Sequence, residues 1–96
     1  MKYCLSARQP DAILKKADEI KIELRDFKAI PEYVEKFPDK TLILEFVNDL
    51  PEDFDWEEIQ VYNDKMNGNL ICALSDLSII SECQLRNIKF YYKLFT

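Results

Sequence analysis

The stretch EIKIELR, residues 19–25, alternates without a break: Ile20, Ile22 and Leu24 fall on one side, Lys21, Glu23 and Arg25 on the other. A two-residue period is the mark of a β-strand, here one with a dry face and a charged face. Four more short apolar runs have a similar strand-like make-up, namely KYCLS (2–6), TLILEFV (41–47), NLICALS (69–75) and KFYYKLF (89–95). Between them lie segments with helix signals and not hairpin signals.

In PDAILKKA, Pro10 suits the first helical position, with Ile13, Leu14 and Ala17 at helical spacing. In AIPEYVEKF, Pro31 opens a turn, Ile30, Val34 and Phe37 share a face, and Pro38 stops the helix. The next helix is announced by Asp55 and Glu58 in capping-box spacing, a stripe of Trp56, Ile59, Tyr62 and Met66, and a left-handed exit at Asn67-Gly68. In LSIISECQLRN the helix begins after Asp76 or Ser78, with Ile79, Ile80 and Cys83 inward. Strands separated by single helices pair in parallel through crossovers. The expectation is one α/β domain over residues 1–96, five parallel strands alternating with four helices.

Strands covered by helices on both faces read as continuous apolar runs. EIKIELR departs from that, as do TLILEFV with Glu45 and KFYYKLF with Lys93. Lys21, Glu23, Arg25, Glu45 and Lys93 therefore form an expected charge cluster on a sheet face without helices. Two architectures leave such a face: a partial (β/α)-barrel-like wall, whose lumen pairs the charges, and an open two-layer sheet. The barrel arrangement accommodates the charges better, but a closed barrel needs eight strands. The chain then reads either as the front part of a longer barrel or as an open sheet whose exposed edges pair with another chain, a homodimer being the simplest case.

The opening, LSARQPDAILKKADEIKIEL (5–24), resembles in layout the first strand, helix and second strand of U32-type peptidase barrels. The resemblance covers the N-terminal part of the chain and implies a (β/α) barrel and a hydrolytic activity. The glycines usual in that family's turns are missing, Gly68 being the only glycine, and no catalytic motif of the family falls on this chain.

Composition removes other classes. With no histidine, the commonest general base, zinc ligand and triad member are lost together. One glycine cannot write a phosphate-cradling loop. The net charge of −5 is uneven: residues 1–48 carry nine basic and nine acidic side chains, residues 49–96 four and nine. That acidity speaks against nucleic acid, even with Tyr91 and Tyr92 available for stacking. No run approaches a membrane span or an export signal. Cys4, Cys72 and Cys83 sit in apolar surroundings and read as reduced core thiols of a cytoplasmic protein.

The expected sites are accordingly not catalytic, and neither cofactor nor metal is expected. Beside the sheet-face charges, Asp53, Phe54, Asp55, Trp56 and Glu57 form an acidic, aromatic patch suited to a protein partner. A calcium loop does not fit there, because Pro51, Phe54 and Trp56 interrupt the alternation of ligands. The duller readings are an ion-pair layer for the charges and a core staple for the aromatics. Arg8, Arg25, Asn48, Ser75 and Asp76 lie just past strand ends, where α/β proteins place chemistry. The expected function is a small non-catalytic interaction module, inhibitory or accessory; the alternative is the N-terminal fragment of a barrel enzyme.

Overall fold

The computed structural model describes residues 3–46 and 50–92. Its strands are β1 (Cys4–Ser6), β2 (Glu19–Glu23), β3 (Thr41–Phe46), β4 (Leu70–Leu74) and β5 (Lys89–Tyr92). Helices α1 (Asp11–Leu14), α2 (Ile30–Lys36), α3 (Trp56–Lys65) and α4 (Ile80–Leu85) fill the crossovers. The strands lie in one sheet in sequential order, every neighbouring pair parallel. Of the two arrangements expected, the open two-layer sheet is the one present; the sheet is not closed into a barrel. Five strands fall short of the eight that closure requires.

One apolar cluster joins every helical crossover to the same side of the sheet. Leu14 and Ala17, Phe27 and Ile30, Ile59 and Met66, and Cys83 meet Ile20, Ile22, Leu42, Leu44, Phe46, Leu70, Cys72 and Leu74. These strand residues occupy alternate positions, so the period of two assigns one face to the helices and leaves the other bare.

Capping fixes the helix starts. The Asp55 carboxylate accepts the Glu57 N–H at 2.9 Å, while Glu58 turns away from the expected capping box and accepts from the Tyr62 hydroxyl at 3.5 Å. Asp76 accepts the Ser78 N–H at 2.9 Å, opening a 3-10 turn (Leu77–Ile79) that runs into α4. That backbone bond holds the Asp76 carboxyl below its ordinary range. Pro10 lies one step earlier than expected, at the N-cap of α1, where its carbonyl accepts from Ile13 and Leu14. After α3, Asn67 and Gly68 take φ of 55° and 80°, the left-handed exit expected of that dipeptide. The buried polar side chain here is Asn63, on the inner side of α3, whose Oδ1 accepts the Leu70 N–H at 3.4 Å.

Two further expectations change. Leu24 and Arg25 leave the strand and enter a 3-10 segment (Leu24–Ala29), so Arg25 is not a sheet-face residue. Leu24 still buries, because the turn returns it to the core. Cys4 is exposed and not a core thiol, since on edge strand β1 it alternates with Leu5, the residue that packs against the core. Lys93 and Asn48 lie outside the described residues.

Leu44 is fully buried at the centre of β3. Leu44→Ala is expected to cost about 2–5 kcal/mol in urea unfolding, through lost transfer energy and the cavity left behind. The thiols give a second check. A hydrogen bond with Cys83, together with burial, pushes the Cys72 thiol well above its ordinary range, and both residues are fully buried. Partial burial raises exposed Cys4 as well. In mildly alkaline buffer, a thiol reagent is expected to modify Cys4 alone in the folded chain and all three cysteines after denaturation.

Candidate functional site

The register lays out the bare face row by row. Ser6, Lys21, Ile43, Ile71 and Lys89 line up across all five strands. The next row holds Glu23, Glu45, Ala73 and Tyr91. Ile43 and Ala73 are buried yet belong to no part of the helix-side cluster. Ile43 lies between Lys21 and Ile71, and Ala73 between Glu45 and Tyr91, so the two form a small apolar strip on the charged surface.

Glu23 and Glu45 are cross-strand neighbours, an arrangement that like charge disfavours. Cations resolve it on both sides. Lys21 Nζ stands 3.6 Å from Glu45, diagonally across the register. Glu23 holds Arg25 Nε at 2.8 Å and Arg8 Nη2 at 3.3 Å. Lys21, Glu23, Arg25 and Glu45 thus lie side by side as two ion-pair sets, Lys21 with Glu45 and Arg25 with Glu23, Arg25 reaching in from the turn beyond β2. Arg8, which the expected cluster omits, is a member of the second set. Its position just past the end of β1, matching that of Arg25 past β2, was the available signal.

The patch around Trp56 divides by chemistry. The ring of Phe54 meets Phe27, Phe46 and Trp56 edge-on at 5.1, 5.9 and 5.1 Å, and Trp56 stacks on Phe46 at 5.7 Å. The Arg86 guanidinium sits 5.8 Å from the centre of the Trp56 ring. Both aromatics therefore pack against the core, stapling the start of α3. Asp53, Asp55 and Glu57 remain exposed, Asp53 within 3.5 Å of Lys28.

Among the described residues, two concavities bear on the surface chemistry. One, of about 360 Å³, opens at the carboxyl ends of β1 and β2 between Arg8, Arg25, Lys28 and Tyr33. The Tyr33 hydroxyl donates to the Ala7 carbonyl at 3.0 Å, tying α2 to the end of β1. The other, of about 300 Å³, lies beside β1 and is lined by Tyr3, Leu5, Ile13 and Lys16. Sequence reasoning missed this groove because Ile13 reads as a core residue, whereas the single turn of α1 leaves it 41% exposed. Among the described residues, no group of three or more His, Cys, Asp or Glu is placed to hold a metal ion. No described helix is long and apolar enough to cross a membrane.

Fold and surface together define an open two-layer α/β unit: a parallel sheet in sequential order, helices behind it, a charged face in front and an edge strand at each end. No family model, curated protein or solved structure matches the chain.

The Lys21–Glu45 contact is expected to be a net stabiliser because it offsets the charge of Glu45 beside Glu23. A double-mutant cycle of Lys21→Met and Glu45→Gln, read by urea unfolding, should return a coupling of about 0.5–1 kcal/mol, shrinking in high salt.

Proposed function

We propose that the chain is a small, non-catalytic protein–protein interaction module that presents a sheet edge to its partner, a second copy being one such partner. The observation that carries this reading is the outer edge of β1. The Glu19 N–H reaches the Tyr3 carbonyl, and the Ala7 N–H reaches the Lys21 carbonyl. In a parallel ladder the intervening residues, Cys4 and Ser6, then turn their N–H groups outward. Beside that edge lies the apolar groove of Tyr3, Leu5 and Ile13, with Tyr3 60% exposed. Unpaired backbone next to an apolar groove is the physical basis of β-strand addition, in which the ladder supplies affinity and the groove specificity. The exposed acids Asp53, Asp55 and Glu57 supply a polar rim elsewhere and no aromatic anchor, since Phe54 and Trp56 pack inward. Three unpaired cysteines agree with a reducing, cytoplasmic setting for this role.

Light scattering on the purified chain tests the reading. Wild type is expected to self-associate as concentration rises. Ile13→Lys, which charges the groove, and Cys4→Pro, which deletes an outward N–H, should each leave it monomeric without lowering its melting temperature by more than a few degrees. A wild type that stays monomeric at every concentration, with Cys4 and Ser6 amides exchanging freely, defeats the proposal.

One observation favours a second reading, a fragment of a (β/α)-barrel enzyme of the U32-like hydrolase kind: the larger concavity lies at the carboxyl ends of the strands, where such barrels work. Continuation of the reading frame past Thr96 into further strand–helix units would support it, and a stop codon there would count against it.

A further inference from the structure

We infer that the cavity at the carboxyl ends of β1 and β2 is a binding site for a small organic oxyanion, a carboxylate or phosphate on a compact apolar body. Singly wound parallel α/β units place their ligands at the carboxyl ends of the strands, and about 360 Å³ falls within the ordinary size of small-molecule sites. Three cations border it: Arg8 past β1, and Arg25 and Lys28 in the turn past β2, against one carboxylate in the lining, Asp26. Ile22 of β2, Ala29 and the ring of Tyr33 supply the apolar wall.

The two guanidiniums converge on a single oxygen. Arg8 Nη2 and Arg25 Nε both meet Glu23 Oε2, at 3.3 and 2.8 Å. Each fork has five N–H donors and spends one nitrogen here, so both retain donors in a planar arrangement that suits bidentate oxyanions. Glu23 shows that the pair can hold a carboxylate, and it also competes with any ligand for them. Lys28 is similarly shared with Asp53, at 3.5 Å. All three cations are more than half exposed, so a ligand displaces water and not packed protein.

The competition gives a test that general electrostatics would not mimic. Calorimetric titration of the full chain at low salt would use phenyl phosphate, benzoate and inorganic phosphate as probes. One or both organic anions should bind more tightly than inorganic phosphate, the preferred one identifying the head group. Arg25→Gln should weaken that binding roughly tenfold, the loss expected for a charge-assisted hydrogen bond. Glu23→Gln should tighten it by releasing both guanidiniums. Asp64→Asn makes the same change in net charge on an exposed site at the far end of α3, and should leave the affinity unchanged. Melting curves confirm that each variant is folded. Failure of wild type to bind either organic anion, equal affinity for inorganic phosphate, indifference to Arg25→Gln, or an Asp64→Asn effect equal to that of Glu23→Gln would each overturn the inference. Dimerisation through β1 is scored separately by light scattering, so either proposal can fall alone.

Discussion

Everything in this molecule follows from four successive crossovers laid over the same face of a parallel sheet. Sequential strand order brings each helix down beside the last, and most apolar residues of β2, β3 and β4 bury against them. The gain is one continuous core within a short chain, reaching from Leu14 to Ile88. The cost is a second face that no described helix covers, in a class of sheet whose faces are ordinarily both shielded. The bare face is made tolerable by ion pairing and by long side chains that flank Ile43 and Ala73.

That constraint also orders the surface. Turns after the strands collect Arg8, Arg25 and Lys28 at one end of the sheet, while the helix starts, with Asp55 and Asp76 as caps, are set by the same chain reversals. Glu23 links the two levels. It is the last residue of β2, a cross-strand neighbour of Glu45 and the shared acceptor for two arginines. Bare face and cavity are therefore one electrostatic system and not separate patches.

Much of this was legible in the residues. The alternation in EIKIELR announced both the dry and the charged face, and the spacing of strands and helices announced the parallel order. Asp55, Asn67 and Gly68 marked the limits of α3 through local chemistry that needs no tertiary context. The misreadings arose where tertiary geometry decided. Periodicity carried β2 on to Arg25, but the chain turns into a 3-10 segment after Glu23, and alternation alone cannot see a turn that keeps Leu24 buried. Cys4 read as a core thiol because its neighbours are apolar, and only its place on an edge strand exposes it. Asn63 was overlooked for the opposite reason: a polar letter hid an inward position that serves the first amide of β4. The aromatics of the acidic stretch were legible as to element but not as to direction, since a staple and an anchor have the same spelling. The open sheet, in turn, follows from strand number, which the sequence displays, more than from the charges that suggested a lumen.

The two margins of the sheet are different objects. At one, β1 is short, with Cys4 and Ser6 on its outer side; at the other, β5 carries Lys89, Tyr91 and Tyr92. Joining like margins relates two copies by a two-fold axis, and growth ends there. Joining unlike margins would continue the parallel ladder from one molecule to the next, an operation that stops only where the rotation closes a ring and otherwise yields a fibre. The cationic head of Lys89, exposed at that second margin, acts against such stacking in the way edge lysines do in many sheets. The polarity of this small wall therefore decides between a closed pair and an endless one.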